Sequence, residues 1–276
     1  MSYKYVIGCG CSFLEIDAPW FTTIPSKNYI NLSRGGCGNE FIKHQITYKI
    51  DELISNEINA QDIFVVVQWT GISRLDFLVS RDQTITPNDF NTDFDVTRIG
   101  SYVKVGSGTA PSRIDKKGGW VHSGGGNDFI TNWEVKKFED EFFETYFKYF
   151  GNDYDSVKRY LDNVLFIQNL CKSLGINYVM TNAWNPFEDE YGREKYKRKY
   201  FDYMWNRVDE KHMIWIESNI KNIKTEKIEW NNEYGGMWQY LIERDGIDLK
   251  DDHPSEYGHK IWGNYIFNVL TERKIL

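Results

Sequence analysis

The chain has 276 residues, 41% of them hydrophobic, enough to bury a substantial core within one domain of ordinary size. Its net charge of −7 argues against a general nucleic-acid binder, which presents a basic face. The four cysteines (Cys9, Cys11, Cys37, Cys171) lack disulfide-framework spacing, no apolar run is long enough to span a bilayer, and MSYKYVIG lacks a signal-peptide pattern. A reduced, cytoplasmic protein with no nucleic-acid or membrane partner is the expectation.

In chain order, residues 3–9 (YKYVIGC) read as a short buried strand that stops at Gly8 and Gly10. "NYINLS" (28–33) reads as a second strand and "RGGCGN" (34–39) as a glycine turn. From Glu40 to about Asn56, apolar residues at three- and four-residue spacing predict a helix with Asn39 at its N-cap. "DIFVVVQW" (62–69) is a continuous β-branched run, the pattern of a strand buried on both faces of a parallel sheet. Residues 79–135, rich in Gly, Ser, Thr, Asp and Asn, read as an insertion of loops and short strands on the main fold. Helices are expected at 136–150 and at 154–174, the latter closed by Gly175. "INYVMTNAW" (176–184) reads as a buried strand, with helices at 189–210, 233–244 and 254–272. "REKYKRKY" (193–200), the one local basic run, reads as a solvated helix face. Alternating strands and helices predict a single α/β domain over 1–276 with a central parallel sheet and helices on both faces.

Sites in such sheets form beyond the carboxyl ends of the strands. Three turns meet that rule: Gly8–Phe13, Arg34–Asn39 and Gln68–Arg74. A fourth segment, "DDHPSEYGH" (251–259), precedes the last helix, with Pro254 expected at its first position and His253 at the N-cap. A histidine so held is anchored yet exposed, a useful place for a general base.

These four segments, in this order, resemble the SGNH (GDSL-like) hydrolase family. "GCGCSF" is similar to its first block and implies Ser12 as nucleophile; "SRGGCGN" is similar to the second and implies the Gly36 amide in the oxyanion hole. "DDHP" resembles the last block and implies His253 as base. The resemblance extends to short SGNH-like proteins of marine bacteriophages, in which "WT…SR" follows the third strand; for such an origin host cytoplasm or the virion is implied. It implies a three-layer α/β/α sandwich of flavodoxin-like topology and a serine esterase acting on a small or glycan-linked ester, without cofactor or metal. Two departures stand out. The third block carries "QWTGISR" where the family places a donor asparagine, so Thr70, Gln68 or Asn39 is left to supply that donor. Position 250, the usual place of the acid, is Lys, which leaves Asp251 or Asp252 to orient His253, with Asp251 preferred for the turn it allows.

The chemistry is coherent: a serine hydroxyl needs a base within reach, a carboxylate fixes the imidazole tautomer, and the amides of Ser12 and Gly36 face the developing oxyanion. Each residue also has a plainer reading. Ser12 alone fits a turn serine, His253 alone a capping residue, and His259 a packing residue of the last helix. His44, His122 and His212 show no evident partner. Cys9-x-Cys11 admits a metal site and Cys11 a thiol nucleophile, but zinc clips need a second pair, and a cysteine beside a nucleophile is more often packing. "GCGCSF" lacks the third glycine of a dinucleotide turn and the Lys of a P-loop. Arg74 and Asp76 read either as an ion pair or as pocket-shaping groups, and Trp69, Trp120, Trp133 and Trp184 as core or as a ligand-contacting surface. The rival to the hydrolase is a catalytically weak or silent scaffold that binds a glycan or an assembly partner.

Overall fold

A computed structural model of the chain describes residues 2–72, 74–80, 102–104, 111–113, 118–122, 149, 153–186, 197–218, 232–248, 250 and 252–276. The first strand, β1, is Tyr3–Cys9, followed by a 3₁₀ turn at Trp20–Thr23, β2 at Ser26–Asn31, helix α1 at Asn39–Ser55 and β3 at Ile63–Trp69. Four short strands come next: β4 (Asp76–Ser80), β5 (Tyr102–Lys104), β6 (Pro111–Arg113) and β7 (Gly118–His122). Helix α2 (Asp153–Leu174) leads into β8 (Asn177–Asn182), and α3 (Lys197–Trp205) follows. The last part holds β9 (Ile216–Ser218), β10 (Asn232–Gly235), α4 (Met237–Ile242), β11 (Ile247–Asp248), β12 (His253–Pro254) and α5 (Glu256–Glu272).

The core is a four-stranded, all-parallel sheet in the order β2-β1-β3-β8. Every residue of β3 is buried, as its unbroken apolar run requires of a strand covered on both faces. At the free edge of β8, Met180 forms a parallel bridge with Met213, its amide donating to the His212 carbonyl at 2.8 Å. The chain steps in one direction from β2 to β3, to β8 and to this edge segment. Right-handed crossovers then place α1, α2 and α3 on one face. The contacts agree: α1 packs on α2, and α2 on α3. The 3₁₀ turn packs instead on β1 and α5, and α4 on α5. The result is mixed α/β, compatible with a three-layer α/β/α fold.

Several expected boundaries shift, each for a local reason. β2 runs from Ser26 to Asn31, two residues earlier than the pattern predicts, because Tyr3 to Gly8 supply its parallel partners. Gly38, not Asn39, is the N-cap of α1, and Asn39 becomes its first residue. Ser255 caps α5, its Oγ accepting from the Gly258 amide at 3.0 Å. Pro254 therefore lies before the cap, and His253 belongs to β12, which pairs with β11 through Asp248↔His253. The helix expected from 233 begins at Met237, because Asn232–Gly235 pair with β9. Between 189 and 210, α3 ends at Trp205 and residues 206–208 are turn; 189–196 lie outside the described residues. Of the segment 79–135, the described pieces are the antiparallel pairs β4–β7 and β5–β6, and the rest lies outside. The helix expected at 136–150 lies outside the described residues except Tyr149.

Candidate active site

Ser12 stands three residues beyond β1, in a turn closed by Leu14 N–H to Cys11 O (3.0 Å) and Glu15 N–H to Ser12 O (3.3 Å). His253, distant in sequence, comes to it from the β11–β12 hairpin: Nε2 lies 2.8 Å from Ser12 Oγ. With the ring proton on Nδ1, the serine hydroxyl donates to Nε2, the arrangement a general base needs. Both side chains are half-buried. The hairpin that presents His253 is tight: the Asp252 amide donates to Asp248 O at 2.9 Å, with Asp252 in the left-handed region at φ 58°. Short polar side chains tolerate that conformation best. Asp251, the acid expected to orient the imidazole, lies outside the described residues.

The glycine turn after β2 is held at almost every amide. Arg34 N–H donates to Gly10 O (3.0 Å), Gly35 N–H to Glu15 Oε2 (2.5 Å), Cys37 N–H to Arg34 O (3.4 Å) and Gly38 N–H to Asp76 Oδ1 (2.7 Å). The amide of Gly36 alone in this run has no protein acceptor among the described residues, and neither has that of Ser12. Gly36 sits at φ 76°, a conformation an L side chain rarely adopts. A loop that engages its neighbouring amides and leaves one without an acceptor among the described residues suits a donor available to a ligand.

Three groups fix this loop. Glu15, on the serine turn, also pairs with Arg34 at 3.1 Å, which ties the serine turn to the glycine turn. Asp76 accepts from Gly38 N–H and, at 2.8 Å, from Phe41 N–H, so it caps α1 from 35 residues away. Gly38 has no side chain to cap with, which is why the acceptor comes from elsewhere. Asn39 forms a reciprocal pair with the third turn: Nδ2 donates to Thr70 O (3.1 Å) and Oδ1 accepts from Thr70 N–H (2.9 Å).

This settles what the third turn offers. The Thr70 amide is engaged by Asn39, while its buried Oγ1 has no partner among the described residues. Gln68 directs Nε2 to Met237 Sδ at 3.3 Å. Asn39 Nδ2 retains one hydrogen beyond its bond to Thr70. Arg74 and Asp76 serve separate purposes: Asp76 caps α1, while Arg74 Nη1 donates to Cys37 O (3.3 Å) and its guanidinium lies 4.8 Å from the Trp184 ring centroid. Trp184 meets Phe13 edge-on at 5.4 Å, and Phe13 meets His253 at 5.3 Å. Trp69, by contrast, is core.

All four thiols are free and buried. Burial pushes the Cys9 and Cys37 thiols well up and Cys171 up to about 12, so these are packing groups and poor thiolates. Cys11 is fully inaccessible, which removes it as a nucleophile in this conformation. Among the described residues no group of three His, Cys, Asp or Glu side chains could hold a metal ion. His259 is buried, both ring nitrogens lacking a partner among the described residues, and burial lowers its pKa to about 4. His212 has a partner after all, Asp209, at 3.1 Å. His44 stacks on Tyr48; the side chain of His122 lies outside the described residues.

Glu15 and the Phe13–Trp184 wall carry no local signal in the sequence, since their partners lie 19 to 171 positions away. Asp76 had one: a helix whose cap position is glycine needs an acceptor from elsewhere. Compared with protein-family models, curated proteins and solved structures, the chain has no significant match to any of them.

Proposed function

We propose that the protein is an SGNH-type serine esterase or acyl hydrolase, with a three-layer fold of flavodoxin-like topology. The observation that carries this reading is the 2.8 Å approach of His253 Nε2 to Ser12 Oγ at the rim of the sheet. The amides of Ser12 and Gly36, which have no acceptor among the described residues, support it. Ser12 Oγ attacks the ester carbonyl carbon as its proton passes to His253 Nε2. The oxyanion is held by the two amides, with the spare Asn39 Nδ2 hydrogen as third donor. Collapse of the tetrahedral adduct expels the alcohol, which takes the proton from His253. Water then attacks the acyl-serine by the same route in reverse and releases the acid. Asp251 is the proposed partner of the imidazole. The substrate is a small or glycan-linked ester.

The test is hydrolysis of p-nitrophenyl acetate and short-chain p-nitrophenyl esters by wild type and Ser12→Ala. Turnover in the wild type that Ser12→Ala lacks supports the reading. A fluorophosphonate probe labelling Ser12 in the wild type, and not after His253→Ala, supports it further. Indistinguishable wild type and Ser12→Ala would leave the silent scaffold as the better account.

A further inference from the structure

We propose that Arg74 is the anion-recognising residue of this site, so that the preferred ester carries a carboxylate or an equivalent monoanion. This deepens the esterase reading and rests on it.

Arg74 stands where the third turn meets the glycine loop. Its Nη1 donates to the carbonyl of Cys37, one residue from the open Gly36 amide. Its guanidinium carbon lies 4.8 Å over the Trp184 ring, and from there Phe13 and His253 continue edge to face until Ser12. Guanidinium, indole, phenyl and imidazole thus form one continuous wall leading from Arg74 to the reacting pair.

Among the described residues the charge on that wall has no ion-pair partner. No carboxylate lies within 4 Å of Arg74 among the described residues, although the protein carries 40 Asp and Glu against 33 Lys and Arg. Arg34, on the same loop, shows the contrast, since its guanidinium is paired with Glu15. The obvious candidate for Arg74, Asp76, spends both oxygens on the amides of Gly38 and Phe41. Arg74 is half-buried, and one carbonyl engages one of its five N–H donors. A half-buried guanidinium with donors to spare is suited to receive an anion, and its planar fork matches a carboxylate well. The cation–π contact with Trp184 and the tether to Cys37 hold it in place beforehand, which lowers the entropic cost of binding.

The experiment compares p-nitrophenyl hydrogen succinate with p-nitrophenyl butyrate, placing the anion on the acyl side. It also compares 4-acetoxybenzoate with phenyl acetate, placing it on the alcohol side. The expected result is a preference in kcat/KM for the anionic member of one pair. That preference should shrink about tenfold in Arg74→Gln and recover in part in Arg74→Lys, the magnitude of a charge-assisted hydrogen bond. No preference in either pair, or an equal loss on charged and neutral esters in Arg74→Gln, overturns the proposal. A second measurement needs no turnover: in Ser12→Ala, millimolar glutarate should raise Tm by about 2 °C, an effect absent from Ser12→Ala/Arg74→Gln. A shift with no esterase activity would sink the hydrolase reading and keep the anion site. Activity with neither a preference nor a shift would do the reverse.

Discussion

Two histidines at opposite ends of β8 sit in opposite chemical company. Near its start, His212 stacks on Tyr178 at 4.3 Å and binds Asp209 through Nδ1 at 3.1 Å. Asp209 also meets Lys172 at 2.6 Å and accepts from the Lys211 amide. At the other end, past Asn182, His253 faces the Ser12 hydroxyl, and the amides of Ser12 and Gly36 have no acceptor among the described residues. The first group is nearly closed: burial raises the Asp209 carboxyl, but the hydrogen bond from Lys172 and the charge of His212 outweigh it and hold it low. Burial pulls the His212 imidazole below its ordinary value, against the opposing pull of Asp209. A histidine–carboxylate pair is therefore no mark of catalysis. What sets the other end apart is a serine hydroxyl 2.8 Å from the imidazole, the pair on which the proposed hydrolysis depends.

The largest effect that tests this contrast is loss of turnover at the His253 end. Ser12→Ala and His253→Ala should each lower kcat on p-nitrophenyl esters by at least about 10³, with KM little changed. Steady-state kinetics check this, and His212→Gln serves as the control expected to stay within about twofold. If His212→Gln matched His253→Ala, the contrast would collapse.

His259 offers a pH test at a third site, where neither ring nitrogen has a partner among the described residues. Its folded pKa of about 4 lies below the usual value of 6.5 because burial disfavours the charged ring. Above pH 6.5 neither state holds the proton, so His259 leaves stability flat there. As pH falls from about 6.5 to about 4, the unfolded chain takes up a proton that the folded chain refuses. Stability should drop by up to about 3 kcal/mol over that window. Urea unfolding from pH 7 to pH 4 measures it, and His259→Leu should flatten the curve relative to wild type.

Asp76→Ala comes next. It strips the acceptor from two buried amides, Gly38 and Phe41, at an expected cost of about 2 kcal/mol in denaturant unfolding. Because the same carboxylate steadies the loop that carries the Gly36 amide, kcat should fall about tenfold while KM holds. Asp76→Asn, which keeps one acceptor oxygen, should recover part of both. A loss of stability without any change in kcat would show that the cap and the proposed oxyanion donor are uncoupled.

Much of this was legible in the chain, and what was not follows a pattern. Strand β3 and helix α2 were readable because burial on both faces and 3.6-residue spacing leave periodic marks. Ser12, Gly36 and His253 stand out as candidates in the sequence because a strand that ends at glycines, a glycine turn and a proline-bounded histidine are local features, and the structure brings Ser12 and His253 together. Ser255 as cap of α5 was missed because Pro254 also fits a helix start, and the pairing of His253 with Asp248 decided otherwise. Likewise Asn39 looked like a cap, but Thr70 on a neighbouring turn claims its side chain. Glu15 and the guanidinium–indole–phenyl wall join residues whose meeting depends on the order of the strands, and no short window of sequence contains that order.

The smallest expected effect lies at the closed end of β8. Asp209→Asn removes the charge that Lys172 answers and leaves the amide bond from Lys211 an oxygen to find. The carboxylate is about one-fifth exposed, so solvent screens much of its pairing, and the loss should be about 1 kcal/mol or less in urea unfolding. Because the folded carboxyl titrates below its usual range, its contribution is present above the ordinary Asp pKa and fades as pH falls through the folded value. The difference between wild type and Asp209→Asn should therefore narrow below about pH 4. Ester turnover should not change, since Tyr178 and Asn182 are four residues apart along an extended strand, about 13 Å. Were kcat to fall with Asp209→Asn at constant stability, the two ends of β8 would be coupled, and the division between a closed structural cluster and an open reactive one would have to be abandoned.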